Sequence, residues 1–227
     1  MSYVFPPPAA VSVEVKGRSE RFPVNRVYCV GRNYASHARE MGKDPDREPP
    51  FFFTKPANAL VPNDATIPYP PRTANLHHEI ELVIAIGKGG RDIAVGSALS
   101  HVFGYAVGND LTRRDLQFAA RDAGRPWDTG KAFDRSAPIT AIQPAEGKGF
   151  EKGRIWLKVN GEVKQQADVA DLIWGVPEII AELSTLFELA PGDLIFTGTP
   201  AGVGAIRSGD RVEGGIDGLD TLVTTIG

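Results

Sequence analysis

Hydrophobic and polar residues alternate over short stretches of the chain, and this pattern predicts many β-strands. The clearest stretch is HHEIELVIAIG, residues 77–87. Successive side chains of a strand point to opposite faces, so one face of this stretch carries only large aliphatic residues. These are Ile80, Leu82, Ile84 and Ile86. The opposite face begins with Glu79 and Glu81 and continues with apolar side chains. We therefore expect a strand that is buried on both faces, with two acidic residues at the mouth of a pocket.

Further apolar runs predict a chain that is mostly β and forms one main domain. Gly (25 residues) and Pro (18 residues) are spread along the chain, which favours short strands and turns over a helical bundle. Residues 155–166 predict a hairpin, because Asn160-Gly161 is the strongest two-residue turn pattern. Other strands are predicted within residues 26–31, 49–60, 103–110, 193–200 and 209–227. Residues 1–25 predict an N-terminal arm or short strands beside the main domain at 26–227.

Four segments predict helices, so the expected fold class is mainly β with a few helices (α+β). The segments are residues 33–42, 95–102, 111–124 and 175–193. In the last two, apolar residues recur every three or four positions, which is typical of amphipathic helices. Helix 111–124 is expected to bury Leu116 and residues 118–120. Helix 175–193 is expected to bury a longer apolar stripe, formed by Ile179, Ile180, Leu183, Leu186 and Phe187.

Charge and composition narrow the classes of function. The net charge of −3, without a long basic run, does not indicate a nucleic-acid-binding surface. The N-terminus lacks the regions of a signal peptide, and apolar runs such as LVIAIG are too short to span a bilayer. We therefore expect a cytoplasmic protein with neither a nucleic-acid nor a membrane partner. Cys29 is the only cysteine, and it is expected to be a buried small hydrophobic residue, with a nucleophile as the alternative.

The acidic start of the predicted strand at 77–87 indicates a metal site. Glu79 and Glu81 are two apart on a strand and point the same way. Two buried carboxylates need water, a cationic side chain or a metal. Asp110 ends another buried strand and could converge on them. Carboxylate ligands select Mg²⁺ or Mn²⁺, with Ca²⁺ as a further option. The alternative is a solvent-exposed strand face. His77 and His78 are either further ligands or, as we prefer, packing residues.

His37 and Glu40 form a candidate acid–base pair. They are three apart in the predicted helix at 33–42 and would share a face. Glu40 could orient the imidazole and raise its basicity, which is the arrangement that activates water. An exposed surface pair is the alternative, and the spacing by itself favours that alternative.

Seven segments together resemble the fumarylacetoacetate hydrolase family, in the order that the family has them. They are VGRNYASHARE (30–40), FFTKP (52–56), RTANLHHEIELVIAIGK (72–88), GYAVGNDLTRRDLQ (104–117), GKAFD (130–134), LKVNGEVKQ (157–165) and PGDLIFTGTPAGVG (191–204). Each segment is weak alone, and the set is highly specific. The chain is most similar to the short, single-domain branch of acylpyruvases and fumarylpyruvate hydrolase-like proteins.

The resemblance implies a mixed β-sandwich roll, a homodimer and a site of defined residues. Glu79, Glu81 and Asp110 match the ligands of Mg²⁺ or Mn²⁺. His37 and Glu40 match the general-base dyad of the short members. Lys131 matches a lysine that contacts the substrate carboxylate or oxyanion. Four further positions match residues near the substrate: Lys55, Arg114, Gln117 and Thr199.

The same resemblance implies an enzyme that cleaves the carbon–carbon bond of a small 2,4-diketo acid, an acylpyruvate, to pyruvate and a carboxylic acid. Fumarylpyruvate is the expected substrate, and its second carboxylate needs a cation, for which Arg32, Arg114 and Arg121 are candidates. Oxaloacetate decarboxylation and isomerisation or hydration of a dienoate acid are enzymatic alternatives on the same site, and a ligand-binding protein without activity is a further one. The fourth metal carboxylate of the large members has no counterpart in VYCVGRNY.

Overall fold

Strands dominate the fold, as the alternating pattern predicts. The computed structural model describes residues 2–35 and 49–227. The strands within these ranges are β1 (Ser12–Val13), β2 (Phe22–Pro23), β3 (Val27–Gly31), β4 (Phe51–Lys55), β5 (Leu60–Val61), β6 (Ala65–Ile67), β7 (Leu76–His78), β8 (Ile80–Ile86), β9 (Val102–Asn109), β10 (Thr112–Arg113), β11 (Ala137–Pro138), β12 (Gln143–Pro144), β13 (Arg154–Val159), β14 (Glu162–Asp168), β15 (Leu194–Phe196), β16 (Gly204–Ile206), β17 (Arg211–Ile216) and β18 (Leu222–Ile226).

Few helices accompany these strands. The α-helices of the described ranges are α1 (Arg114–Asp122), α2 (Asp128–Lys131) and α3 (Val176–Leu186). Three segments are 3₁₀ helices, at Ala57–Ala59, Val95–His101 and Val169–Asp171. The helix predicted at 95–102 is therefore present in the tighter 3₁₀ form. The helix predicted at 33–42 lies mostly outside the described residues. No helix of the described ranges is long and apolar enough to cross a membrane.

Two large mixed sheets and three small ones organise the chain. The six-stranded sheet has the order β12-β9-β8-β15-β3-β4, and the five-stranded sheet has the order β14-β13-β17-β18-β6. A three-stranded sheet, β10-β7-β16, continues from the first large sheet. Most neighbours are antiparallel, while three pairs run parallel: β15 with β3, β18 with β6 and β11 with β5. The predicted fold class, a mixed β-sandwich with a few helices, is confirmed.

β8 separates two apolar layers, as its sequence predicts. All seven residues of β8 are buried. Its large aliphatic face, which includes Leu82 and Ile84, packs in a cluster with Ile155 of β13 and Ile180 of α3. Its other face, which includes Val83, belongs to a second cluster that contains the N-terminal strands. The central sheet is therefore covered on both sides, and its strand ends lie inside the protein.

The hairpin predicted on Asn160-Gly161 joins β13 to β14. Both turn residues have positive φ, 51° for Asn160 and 84° for Gly161. A type I′ turn requires this backbone conformation at both central positions, and Asn-Gly adopts it most readily. The local turn chemistry therefore sets this connection.

Two predicted helix faces differ from the structure. α1 buries Arg114, Gln117 and Ala120, so the prediction that Leu116 and residues 118–120 form its buried face is largely wrong. The reason is electrostatic, since the buried polar side chains of α1 face the acidic strand. In α3, Ile179, Ile180 and Leu183 are fully buried. Leu186 and Phe187, at the end of the helix, are 57% and 39% exposed, so their predicted burial is wrong.

The N-terminal segment forms short strands, as expected. β1 and β2 pair with each other, and Val13 and Phe22 join the second apolar cluster. Tyr3, Val4 and Phe5 extend from this pair and are exposed. The division of the chain into an arm at 1–25 and a catalytic domain at 26–227 stays a prediction.

Candidate active site

The carboxylates of Glu79 and Asp110 lie where the chain passes between the three-stranded sheet and the six-stranded sheet. Glu79 connects β7 to β8, and Asp110 follows β9 before β10. β8 pairs with β9, with Ile80 opposite Asn109, and β7 pairs with β10 in the three-stranded sheet. The Glu79 amide donates to Asn109 Oδ1 at 2.8 Å, and the Asp110 amide donates to the Glu79 carbonyl oxygen at 2.8 Å. Both acids are therefore fixed side by side where the chain leaves one sheet for another.

Glu81 completes a compact acidic group with these two residues. One carboxylate oxygen from each of Glu79, Glu81 and Asp110 lies within 4.8 Å of the others. The three residues are only 4%, 2% and 1% exposed. The convergence that the sequence pattern predicted is present, and the alternative of a solvent-exposed acidic face is excluded.

Cationic side chains surround the acidic group. The Lys131 ammonium donates to Glu79 Oε2 and to Asp110 Oδ2, each at 2.6 Å. The Arg114 guanidinium contacts Glu79 Oε1 at 2.5 Å, and Lys55 Nζ lies 2.8 Å from Asp110 Oδ1. Among the described residues, three cations thus face three carboxylates. Buried charges are tolerated in proteins when they are paired in this way.

The electrostatic environment shifts the ionisation of two of these groups. Burial lowers the pKa of Lys131, but Asp110 and Glu79 outweigh it and hold that pKa above its usual value. Lys131 is therefore a cation at neutral pH. Burial, and then the like charges of Asp110 and Glu79, raise the pKa of Glu81 well above its usual value. The acidic group consequently favours an additional positive charge.

Gly198, which follows β15 at the start of the 198–204 loop, contacts Glu81 through its backbone amide. The Gly198 amide donates to Glu81 Oε2 at 2.8 Å. Gly198 has φ +97°, and a Cβ at this position would lie 2.8 Å from the Asn33 Cβ. Asn33 in turn donates from Nδ2 to the carbonyl oxygens of Trp174 and Thr197 at 2.9 and 2.8 Å. Only glycine fits this approach without displacing its neighbours.

Lys55 lies behind Asp110, away from the walls of the acidic cavity. Besides Asp110, its ammonium donates to Ser136 Oγ at 2.9 Å and to the carbonyl oxygens of Leu111, at 3.2 Å, and Lys131. Lys55 is 2% exposed. Its ammonium group therefore supports the acidic group and the backbone that carries Lys131. The predicted contact of Lys55 with substrate stays a prediction.

Arg114 and Gln117 present polar groups from the first turn of α1. Arg114 Nη1 donates to Gln117 Oε1 at 2.6 Å, so the two side chains and Glu79 form one chain of contacts. His77 lies next to them, 3.4 Å from Arg114 Nε through its Nδ1. Burial, and then the Arg114 charge, lower the pKa of His77 to about 4, so its ring is neutral at physiological pH. The geometry favours packing over metal ligation for His77.

His78 and Thr199 meet at one buried glutamine. Gln165 Oε1 lies 2.8 Å from His78 Nδ1, and Gln165 Nε2 donates to Thr199 Oγ1 at 2.8 Å. His78 therefore orients a wall of the site and is not among the three candidate ligands. Gln165 was not predicted from the sequence, because the strand EVKQQAD shows no apolar alternation that would identify an inward face.

The acidic group faces a small cavity of about 30 Å³. Its polar wall contains most of the site residues predicted from the sequence: Arg32, Glu79, Glu81, Asp110, Arg114, Gln117, Lys131 and Thr199. Trp127 and Phe53 also line it, and neither was predicted as a site residue. His37 and Glu40 lie outside the described residues, so their dyad stays a prediction.

The donor set fits a divalent cation. Within residues 2–35 and 49–227, the group consists of three buried carboxylates without a thiolate or imidazole. Hard ions such as Mg²⁺ and Mn²⁺ select such ligands. Cys29 is apart from this chemistry, since it is fully buried and burial raises the pKa of its thiol. The interpretation of Cys29 as a small buried hydrophobic residue agrees with this environment.

Sequence comparison extends the match beyond single motifs. Residues 26–227 match the family described as Fumarylacetoacetate (FAA) hydrolase C-terminal. The chain belongs to the fumarylacetoacetate hydrolase family. The family resemblance that the motifs indicate is thus confirmed over most of the sequence.

Members of this family with known structure or activity are similar over nearly the whole chain. Fumarylpyruvate hydrolase of a Ralstonia species is 50% identical over 189 residues, which cover 82% of this chain and 98% of that protein. The crystal structure of fumarylpyruvate hydrolase from Pseudomonas aeruginosa, in complex with Mn²⁺ and pyruvate, is 56% identical, covers 99% of both chains and has a TM-score of 0.96. The mitochondrial oxaloacetate tautomerase of Homo sapiens is 42% identical over 197 residues, or 86% of this chain and 89% of that protein.

Proposed function

We propose that this protein is a metal-dependent hydrolase that cleaves the carbon–carbon bond of an acylpyruvate, with fumarylpyruvate as its substrate. The observation that carries the proposal is the group formed by Glu79, Glu81 and Asp110 on the wall of a cavity that also contains fixed cations. Similarity to fumarylpyruvate hydrolases at 50% and 56% identity supports the choice of substrate. The products are pyruvate and fumarate.

Glu79, Glu81 and Asp110 would hold the divalent ion, Mg²⁺ or Mn²⁺, with Ca²⁺ as the alternative. When bound, the ion supplies Lewis-acid stabilisation of the negative charge that develops on the departing pyruvate. Mn²⁺ in a similar fumarylpyruvate hydrolase supports this assignment. Because the three carboxylates already face three cations among the described residues, a divalent ion gives the site an excess of two positive charges. This positive charge favours an anionic diketo acid.

Lys131 provides a fixed positive charge at the cavity wall. Its ammonium lies among the carboxylates at 2.6 Å, and its raised pKa keeps it protonated. It acts as an electrostatic group that stabilises the oxyanion or enolate of the reacting substrate. Arg114, Gln117 and Thr199 position the substrate from the same wall. Arg114 is held by Glu79 and Gln117, which fixes the orientation of its guanidinium.

His37 and Glu40 are assigned the proton transfer on the grounds of their spacing and family position. In this scheme, the His37 imidazole takes a proton from water while the water oxygen attacks the acyl carbonyl carbon. The bond between that carbon and the adjacent methylene carbon then breaks. Its electron pair stays on the methylene carbon as the enolate of pyruvate, and a proton returns to that carbon. Glu40 orients the imidazole and stabilises its charged form.

Oxaloacetate chemistry is the second candidate function. The relative at 42% identity is an oxaloacetate tautomerase, and decarboxylation of oxaloacetate also passes through a pyruvate enolate. Neither reaction needs the attacking water. Isomerisation or hydration of a dienoate acid has less support, and the greater identity to fumarylpyruvate hydrolases favours hydrolysis as the main activity.

A substrate panel tests the proposal. Pyruvate release is measured from fumarylpyruvate, acetylpyruvate and oxaloacetate, with Mg²⁺ or Mn²⁺ and after treatment with EDTA. We expect the highest kcat/KM with fumarylpyruvate, loss of turnover in EDTA and recovery when metal is returned. Lys131→Met should lower kcat by about 100- to 1000-fold, while exposed Lys152→Met serves as the matched control. Equal turnover in EDTA, or a preference for oxaloacetate, would overturn the proposal.

We further propose that the protein is a homodimer, as the family resemblance implies, and that it is cytoplasmic, a proposal supported by its similarity to bacterial fumarylpyruvate hydrolases. Sedimentation of the purified chain tests the oligomeric state directly. A mass of one chain at micromolar concentration would contradict the dimer.

A further inference from the structure

We propose that an aromatic cleft beside the acidic cavity is the subsite for the acyl end of the substrate, and that Arg32 selects acyl groups that end in a carboxylate. This inference rests on the proposed acylpyruvate hydrolysis and adds its specificity. The cleft is open to solvent, has a volume of about 600 Å³ and is lined by Arg32, Phe51–Phe53, Thr54, Pro126, Trp127 and Asp128.

The cleft and the acidic cavity adjoin each other. Arg32, Phe53 and Trp127 line both of them. A substrate whose diketo acid end lies at the carboxylates can therefore extend into the cleft past these three side chains. Asp128, at the start of α2, also lines the cleft and is exposed, so water screens its charge.

Aromatic rings hold the Arg32 guanidinium at this junction. Its carbon Cζ lies 5.2 Å from the centre of the Phe51 ring and 6.0 Å from that of Trp127. The two rings meet edge to face, with centres 5.1 Å apart and an interplanar angle of 87°. Stacking against aromatic faces orients a guanidinium while leaving the donors at its edge available.

Arg32 has no acidic partner within residues 2–35 and 49–227. Its Nε is buried and donates no hydrogen bond to any of those residues. A buried donor without an acceptor is costly, and a carboxylate is the ligand that satisfies a guanidinium best, through two parallel hydrogen bonds. The chemistry at the junction therefore favours an anionic, planar group.

The other two candidate arginines, Arg114 and Arg121, already have acidic partners. Arg114 is held by Glu79 and Gln117 at 2.5 and 2.6 Å. Arg121 pairs with Asp122 at 2.8 Å and is absent from the described walls of both cavities. The structure thus separates three arginines that the sequence left equivalent, and Arg32 remains as the cation at the junction.

The backbone at Arg32 is also unusual. Arg32 has φ 59°, in the left-handed region that residues other than glycine rarely adopt. The next residue, Asn33, is fixed on both sides of its amide by Trp174, at 2.8 and 2.9 Å. Such conformations persist where the surroundings over-determine them, often at binding sites. Here the conformation turns the chain after β3 and directs Arg32 to the cavity junction.

The flat trans-butenedioyl chain of fumarylpyruvate fits a cleft with aromatic walls and a cation at its entrance. Acetylpyruvate has the same diketo acid end but no distal carboxylate. We therefore expect Arg32 to contribute to the ratio of kcat/KM for fumarylpyruvate to kcat/KM for acetylpyruvate. A charge-assisted hydrogen bond of the usual strength corresponds to a change of roughly 10- to 100-fold in that ratio.

Two variants test the assignment in the metal-loaded enzyme. Arg32→Met keeps a long apolar side chain and should lower the ratio by roughly 10- to 100-fold. Arg32→Lys keeps the charge, loses the bidentate geometry and should give an intermediate ratio. Arg121→Met is the matched control and should leave the ratio at the wild-type value. An unchanged ratio in Arg32→Met would overturn the subsite.

Inhibition of the wild-type enzyme provides a test that does not depend on folding of a variant. Fumarate and crotonate have the same trans carbon chain, and crotonate carries a methyl group in place of one carboxylate. Fumarate should inhibit acetylpyruvate hydrolysis at least about tenfold more strongly than crotonate, and equal inhibition would contradict the subsite. If the wild-type enzyme hydrolyses neither acylpyruvate, the proposed function fails. If it hydrolyses both and the ratio is insensitive to Arg32, the subsite alone fails.

Discussion

Replacement of Lys55 by methionine changes the charge behind Asp110 while nearly preserving side-chain length. Lys55 is 2% exposed, and its ammonium lies 2.8 Å from Asp110 Oδ1 and 2.9 Å from Ser136 Oγ. It also donates to the carbonyl oxygens of Leu111 and Lys131. The variant removes one charge and leaves these acceptors without their donor.

The expected loss of stability is large. Removing one member of a buried ion pair costs about 3–5 kcal/mol, because the remaining charge stays buried without compensation. In a chain of this size, about 1 kcal/mol corresponds to a change of roughly 2–4 °C in Tm. Lys55→Met should therefore lower Tm by about 6–20 °C in metal-free buffer.

Divalent metal should restore part of this loss. A ligand at 100 times its Kd stabilises the folded state by about 2.7 kcal/mol. Because Lys55→Met leaves an extra uncompensated negative charge near Asp110, the gain in Tm on adding Mn²⁺ should be at least as large in the variant as in the wild type.

Urea denaturation and thermal melts with EDTA and with Mn²⁺ measure these changes. Lys164→Met is the matched control, since Lys164 forms an exposed pair with Glu162 at 2.8 Å and should contribute less than about 1 kcal/mol. If the Lys55 and Lys164 variants lose stability equally, or if Mn²⁺ stabilises the wild type more than Lys55→Met, the assigned charge balance is wrong.

Three further predictions concern the glycine, the cysteine and the pH dependence of the site. Gly198→Ala should destabilise the chain by about 1–3 kcal/mol in urea denaturation. The loss should exceed that of the control Gly209→Ala, because Gly209 has a similar φ of +93° but open space where a Cβ would lie. Equal losses would contradict the steric argument. The Cys29 thiol is fully buried, and burial raises its pKa. Ellman's reagent should therefore modify this thiol only after the protein unfolds. Rapid reaction of the native protein would contradict this prediction. The pKa of Glu81 is raised, so a bound ion must displace the proton of this carboxyl group. The affinity for Mn²⁺ should therefore fall as pH falls, by up to about tenfold per pH unit. A Kd that calorimetry finds constant from pH 8 to pH 5.5 would refute this prediction.

Local patterns predicted the parts of the fold that local physics determines. Alternation identified both faces of β8 because strand side chains must alternate. Asn160-Gly161 predicted the hairpin because few residue pairs adopt two positive φ values. The proximity of Glu79 and Asp110 depends on the pairing of β8 with β9. The sequence pattern does not determine that pairing, so it indicated that the two residues could converge without establishing their contact.

The remaining features depend on partners that are distant in sequence. The burial of Arg114 follows from Glu79, which lies in another strand, and helical periodicity contains no information about that pairing. Lys55 and Asp110 likewise come from different parts of the six-stranded sheet. Gln165 is buried because His78 and Thr199 meet it from two other segments. Sequence patterns identified the residue types of the site, whereas the contacts among them required the fold.

The choice of Arg32 among the candidate arginines also required the structure. Arg32, Arg114 and Arg121 were equivalent candidates for the second carboxylate of the substrate. The structure separates them by their existing partners, because Arg114 is paired with Glu79 and Arg121 with Asp122. In the proposed subsite, the specificity of the enzyme follows from which arginine lacks an acidic partner among the described residues, and the charges in the sequence do not reveal this.

A titration with Mn²⁺, followed by electron paramagnetic resonance, tests the central claim that three buried carboxylates form the metal centre. The wild-type chain should bind one Mn²⁺, and Asp110→Asn should weaken that binding by about 100-fold or more, since one of the three carboxylate ligands loses its charge. Asp122→Asn, a change at an exposed acid of α1, should bind Mn²⁺ as the wild type does. Equal affinity of the wild type and Asp110→Asn would contradict the account.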